Sequence, residues 1–160
     1  MDYKLKDKVD NFILKDQNGK DFELYKNLDK NLLLVFYPKD NSLICSRQLK
    51  NYSENMKPFE KTGIRIIGIN DGSLEEHHQF CSTKELDLIL LSDPELKVIK
   101  KFSALYPFRI IKRKLVLINS SAKIVFSRNL PPYSYWTYDK ILRILSKNEF
   151  YDLTISTFNK

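Results

Sequence analysis

The chain has 160 residues, 42% hydrophobic and 12% aromatic, with 27 Lys and Arg against 20 Asp and Glu for a formal charge of +7. That is one domain of ordinary size with enough apolar material for a core, which excludes general disorder and any need for a metal or disulfide staple. The longest purely apolar run, residues 32–37, is six residues against the roughly 20 a spanning helix needs, and the segment MDYKLKDKVDNF has no apolar signal core, so a cytoplasmic protein with no membrane contact is expected.

In chain order, residues 12–24 read as two short strands about Asn18-Gly19, a strong hairpin signal. Residues 32–37 form a strand buried on both faces and ending at Pro38. A helix is expected over 44–61, with Leu49, Tyr52 and Met56 at helical spacing; Pro58 bends or frays its last turn and Gly63 closes it. A second buried strand covers 64–69. Ser73 and Glu76 form a capping box that opens a helix to about residue 83. A third strand covers 88–92, and Asp93-Pro94 opens a helix to about residue 102. Two strands, 114–119 and 123–127, flank a short turn. Pro131-Pro132 marks a loop, 138–146 is an amphipathic helix, and the tail 148–160 has no legible role. Periodicity alone gives a single α/β domain over residues 1–160. The order hairpin, β-α-β-α-β-α, hairpin, α is the layout of a thioredoxin-like fold, a central mixed sheet flanked by helices with an N-terminal β-hairpin extension.

The densest cationic cluster is Arg109, Lys112, Arg113 and Lys114, after Lys100 and Lys101. No nucleic-acid-binding motif accompanies it, so a solvated basic surface is expected and nucleic acid is not expected as a partner.

The chemistry concentrates in FYPKDNSLICSRQL, residues 36–49. A buried strand ends at Pro38, a polar loop follows, and Cys45 falls in the first turn of a helix. Sites in open α/β sheets lie at the carboxyl ends of strands, and the N–H groups and dipole of a helix start favour an anion, here a thiolate. Ser42 adds a hydroxyl three residues earlier. The alternative is that Cys45 is a small buried hydrophobe. Two cysteines, Cys45 and Cys81, are too few for a secreted disulfide scaffold.

The run Pro38-Lys39-Asp40-Asn41-Ser42-Leu43-Ile44-Cys45 resembles the peroxiredoxin motif Pro-x-x-x-Thr/Ser-x-x-Cys, and FYPKD resembles the bacterioferritin-comigratory, or Q-type, branch. The likeness continues in family order through Asp16 to Lys20, Gly63 to Asn70, His77-x-x-Phe80, Leu90 to Pro94 and Lys112 to Asn119. The resemblance implies a thiol peroxidase acting on hydrogen peroxide and organic hydroperoxides. Cys45 would be the peroxidatic cysteine, Arg113 would hold the thiolate, Ser42 would bond the peroxide oxygens, Pro38 would shield the sulfur, and backbone N–H groups at Ile44 and Cys45 would complete the oxyanion site. Read without the resemblance, Arg113 is a surface charge. Leu43-Ile44 departs from the family's Pro-Gly, and Gln48 stands where the pattern has an acidic position.

The branch often carries a resolving cysteine five residues after the first; that position is Lys50. The resemblance therefore implies Cys81 as resolver, through an intrachain Cys45–Cys81 disulfide. The alternatives are Cys81 as a core thiol with Cys45 using an external thiol, or a non-catalytic redox sensor or scaffold. The implied partners are a peroxide and a thioredoxin-like or glutaredoxin-like reductant, and the implied state is a monomer with a dimer as alternative. No cofactor is implied, because sulfur carries the redox work. His77 and His78 beside Cys81 lack further ligands at zinc spacing, so a solvated helix face with a packed edge is expected there rather than a metal. Tyr133, Tyr135, Trp136 and Tyr138 are expected to pack the last helix onto the sheet.

Overall fold

The computed structural model describes residues 2–147, so the tail 148–160 lies outside the described residues. Strand β3 (Asn31–Phe36) is buried at every position, as its unbroken apolar run dictates. It pairs in parallel with β4 (Ile64–Asn70), which pairs in parallel with β5 (Ile89–Ser92). On the other side β3 pairs antiparallel with β8 (Lys114–Ile118), and β8 with β9 (Ile124–Asn129). The N-terminal hairpin, β1 (Ile13–Asp16) and β2 (Asp21–Glu23), joins the opposite edge through β1 and β5, giving the order β2-β1-β5-β4-β3-β8-β9. Its turn follows the signal read from Asn18-Gly19: Gly19 has φ +75°, and Asp16 Oδ1 accepts from the Asn18 and Lys20 amides.

Alternation along the strands divides the core in two. Leu32, Leu34 and Phe36 pack with Ile67, Ile69, Val116 and Ile118 against α4 (Lys97–Lys101) and the N-terminal segment. Leu33, Val35 and Tyr37 pack with Ile64, Ile66, Leu90 and Leu115 on the other face. That second face is covered by α1 (Leu43–Glu54), α2 (Met56–Lys61), α3 (Leu74–Lys84) and α5 (Tyr138–Ser146), and both cysteines pack there.

Three expectations need correction. The helix expected over 44–61 is two helices, α1 ending at Glu54 and α2 resuming after Asn55, where ψ is 33°. Pro58 has no N–H for the Glu54 carbonyl and its ring crowds that carbonyl, so the break falls four residues before the proline, not in the last turn. The helix expected from Asp93 begins at Lys97, because Leu96 adopts φ 58° and the Asp93 carboxylate accepts from the Lys97 and Ile99 amides across that turn. Residues 105–111 hold an unforeseen hairpin, β6 (Leu105–Tyr106) and β7 (Ile110–Ile111). Its tip places Phe108 and Arg109 at φ 62° and 61°, without the glycine or asparagine that marks such turns.

Candidate active site

Asn41 takes φ 60°, a conformation asparagine tolerates, and turns the chain from β3 into α1. Ser42 is the N-cap, its Oγ accepting from the Cys45 amide at 3.2 Å. Cys45 thus lies in the first turn of α1, as its sequence position suggested, and is 0% exposed. The Cys45 N–H expected to serve an oxyanion is engaged by Ser42. Pro38 is half-buried in the loop between β3 and α1.

Arg113 precedes β8, beside β3, and its carbonyl accepts from the Leu130 amide at 2.7 Å. It is 3% exposed, so the surface-charge alternative fails. Nη1 and Nη2 each lie 3.4 Å from Cys45 Sγ. Nη2 also donates to the Pro132 carbonyl at 3.4 Å, Nη1 donates to Gln48 Oε1 at 2.5 Å, and Nε is buried without a partner among the described residues. The basic surface expected here is only partly formed: Lys100, Lys101 and Arg109 are exposed and Lys112 is half-buried, but Lys114 joins Arg113 inside. Lys114 is buried with its ammonium on the Phe102 carbonyl at 2.5 Å, and burial lowers its pKa; Lys112 lies 5.1 Å from the Tyr106 ring centroid.

Gln48 is 0% exposed, and its Nε2 donates to Tyr52 Oη at 3.2 Å. Tyr52 Oη donates to the Trp136 carbonyl at 2.7 Å, and burial raises the phenol's pKa. In the sequence Tyr52 is distinguished only by its helical spacing with Leu49 and Met56, which gives no sign that its hydroxyl reaches a loop 84 residues away. The aromatic cluster is divided: Trp136 and Tyr138 pack against the core, while Tyr133 is 87% exposed.

A second polar group lies on the same sheet face. The Asp40 carboxylate accepts from Tyr37 Oη at 2.6 Å and Asn70 Nδ2 at 3.0 Å, and pairs with His77 Nδ1 at 2.6 Å. His77 Nε2 faces the Leu91 carbonyl at 3.2 Å. Gly68 makes room for the Tyr37 ring, since a Cβ there would lie 3.3 Å from Tyr37 Cε1 and 2.6 Å from Leu90 Cδ2. His77 is 0% exposed and His78 is exposed, so His77 forms the packed edge and His78 the solvated face; His77 is part of a buried network joining the loop before α1 to α3. Among the described residues no group of three or more His, Cys, Asp or Glu is placed to hold a metal.

Cys81 lies in the last turn of α3, half-buried, a free thiol like Cys45. Burial, with a smaller contribution from Asp40, pushes its pKa up to about 11. α1 and α3 are neighbours: Lys50 Nζ donates to the Lys84 carbonyl at 2.9 Å, and Ser53 Oγ accepts from the Asp87 amide at 2.7 Å. The position that carries a resolving cysteine in much of the resembled branch therefore ties α1 to the end of the Cys81 helix.

The model of the AhpC/TSA family matches residues 5–127. The chain belongs to the AhpC/TSA family. Among curated relatives, the putative peroxiredoxin bcp of Helicobacter pylori strain J99 is 34% identical over 58% of this chain and 61% of its own length. Peroxiredoxin Q of Sedum lineare, a chloroplastic protein, is 35% identical over 57% of this chain and 49% of its own. The alignments therefore span about half to three-fifths of those relatives. Peroxidoxin BcpB from Mycobacterium tuberculosis superposes with a TM-score of 0.78 at 23% identity, over 89% of this chain and 94% of that one. Xanthomonas campestris peroxiredoxin Q gives 0.76 at 20% identity, over 86% and 90%. These superpositions establish the mixed α/β, thioredoxin-like fold. Among the described residues no helix is long and apolar enough to cross a membrane.

Proposed function

We propose that this AhpC/TSA-family chain is a thiol peroxidase, with Cys45 as the peroxidatic residue. The reading rests chiefly on one observation: both terminal guanidinium nitrogens of Arg113 lie 3.4 Å from a fully buried Cys45 sulfur. Two charged donors and the start of a helix converge on that one atom, an arrangement that supports a nucleophilic sulfur. The thiolate attacks one oxygen of a hydroperoxide. An S–O bond forms, the O–O bond breaks, and the departing alkoxide or hydroxide takes a proton to leave as alcohol or water. Cys45 is left as the sulfenic acid. Fixed donors beside the sulfur stabilise the charge that develops on oxygen. Ser42 Oγ supplies a hydroxyl at the same helix start for the peroxide oxygens, and Pro38 covers the loop side and limits water.

Cys81 then resolves the sulfenic acid. Its thiolate attacks the Cys45 sulfur, an S–S bond forms, and the hydroxyl leaves as water. With a pKa of about 11 in the folded helix, Cys81 is a protonated, poor nucleophile. Unwinding the last turn of α3 would both bring it towards Cys45 and return it to water, lowering that pKa. A thioredoxin-like or glutaredoxin-like dithiol reduces the bond, which suits the cytoplasm or another compartment that keeps such a dithiol reduced. The working unit in this proposal is the monomer, with the described residues 2–147 as one domain.

The test is rapid mixing of the reduced protein with hydrogen peroxide or cumene hydroperoxide, followed by fluorescence of Trp136, the single tryptophan, and by mass. Stoichiometric loss of thiol at Cys45, then a Cys45–Cys81 bond absent from Cys81→Ser, is the expected result. A Cys45 inert to peroxide would leave a non-catalytic member of the family. Unchanged turnover of Cys81→Ser with a dithiol reductant would show that an external thiol resolves the sulfenic acid.

A further inference from the structure

Position 48 carries a neutral amide against an arginine, where a carboxylate would bind the guanidinium more strongly. The hydrogen bonds around it account for the choice. The Trp136 carbonyl can only accept, so the Tyr52 hydroxyl proton points at it, 2.7 Å away. Tyr52 Oη is then left with lone pairs towards Gln48, 3.2 Å away, and requires a donor there. At the other end Arg113 has only donors, so the atom facing Nη1 must accept, as Gln48 Oε1 does at 2.5 Å. A side chain that accepts at one end and donates at the other is an amide. A glutamate at position 48 would leave Tyr52 one proton between two acceptors in a buried site.

We propose that Tyr52 is a positioning residue for the Cys45 reaction: its hydroxyl, oriented by the Trp136 carbonyl, holds the Gln48 amide in the orientation that fixes the Arg113 guanidinium against the sulfur. The inference rests on the peroxidase reading above and adds a residue whose hydroxyl bonds Gln48 and the Trp136 carbonyl rather than the sulfur or Arg113. It also gives the loop between β9 and α5 a part in the site, since that loop contributes the Pro132 carbonyl to Arg113 and the Trp136 carbonyl to Tyr52. Just beyond that loop, the first residue of α5 is also tied to α1: the Tyr138 amide donates to Asn51 Oδ1 at 2.8 Å. The chain of bonds runs in one direction, from guanidinium to carbonyl, so each member polarises the next.

The proposal makes a non-additive prediction. Tyr52→Phe keeps the ring against Phe59, an edge contact with centroids 6.2 Å apart, but frees the amide to turn. Peroxide oxidation of Cys45 in this variant is expected to slow by about tenfold to a hundredfold, the range that misplacement of a charged group costs. Gln48→Glu alone is expected to slow it by a smaller factor, because Tyr52 and Glu compete for one proton. In the double variant the competition is gone and the carboxylate accepts from Arg113 unaided, so the rate recovers to near that of the parent protein. The same four proteins are scored for alkylation of Cys45 by iodoacetamide against pH, in a Cys81→Ser background. That readout follows the sulfur's ionisation whether or not peroxide reacts. A parent protein inert to peroxide but showing the same pattern in alkylation would sink the peroxidase reading and keep the positioning role. Equal rates for Tyr52→Phe and parent, or a double variant slowed by both factors together, would overturn the positioning role itself.

Discussion

The two cysteines lie on the same face of one sheet, in neighbouring helices, and their surroundings oppose each other. Cys45 is at the start of α1, where the helix dipole is positive, with two guanidinium nitrogens on its sulfur. Cys81 is in the last turn of α3, where the dipole is negative, near the Asp40 carboxylate, with its pKa pushed up to about 11. Identical side chains are thus set up for opposite roles by position along a helix and by the sign of the nearest charge. In the proposed cycle the first is the attacking sulfur and the second waits until α3 opens.

The largest change that would break this contrast is at the guanidinium. Arg113→Met removes both donors from the sulfur, and the rate of peroxide consumption is expected to fall by roughly 10²–10³-fold, measured by stopped flow under pseudo-first-order conditions. Arg113→Lys should recover only part of that loss, because an ammonium cannot span the sulfur, Gln48 and Pro132 together. If Arg113→Met oxidises at the parent rate, the sulfur is activated by something other than this arginine.

Next in size is the Asp40 network between the two cysteine regions. Asp40→Ala strands Tyr37, Asn70 and His77, all buried, and is expected to destabilise the fold by about 3–5 kcal/mol, read from urea unfolding. A loss under about 1 kcal/mol would mean that water replaces the carboxylate at little cost.

A pH measurement sharpens the contrast on the Cys81 side. The thiol's ordinary value is 9.0 and its folded value about 11. The folded state therefore holds the proton more tightly than the unfolded one. The resulting stability is complete below pH 9 and is lost as pH rises towards 11. The difference in stability between pH 8 and pH 11 is expected to be larger in the parent protein than in Cys81→Ser. Equal differences would show that Cys81 is more open to water than its place in α3 indicates.

The smallest expected effect is at the far end of the same helix. Ser73→Ala breaks the capping box of α3, in which Ser73 Oγ accepts from the Glu76 amide at 3.1 Å and the Glu76 carboxylate accepts from the Ser73 amide at 3.0 Å. A loss of about 1 kcal/mol is usual for such a cap. If formation of the disulfide is limited by the opening of α3, this variant closes it faster after peroxide, by non-reducing mass spectrometry over time. An unchanged or slower closure would place the limiting motion at α1 instead.

Much of this arrangement was determined by short stretches of sequence acting locally. The six-residue apolar run of β3, the turn at Gly19 and the Ser73 capping box each carry their conformation in their own residue types. Ser42 and Cys45 are three residues apart, so a helix starting there must bring the cap oxygen to the Cys45 amide. The thiol's place at a helix start was legible for that reason, and the family's motif added Arg113, which periodicity alone would have left on the surface. What only the tertiary structure decided are the contacts between elements distant in the chain. Gln48 reads as a departure from the family's acidic position and Tyr52 as an ordinary helix position until the chain returns after β9 and lays the Trp136 carbonyl against the Tyr52 hydroxyl. His77 reads as a polar residue on a helix until Asp40, 37 residues earlier, meets it beyond the carboxyl end of β3. The left-handed tip at Phe108 and Arg109 carries no turn signal in its own residue types. Periodicity and capping report what a residue does with its near neighbours; whether a buried polar atom finds a partner depends on where the rest of the chain has folded.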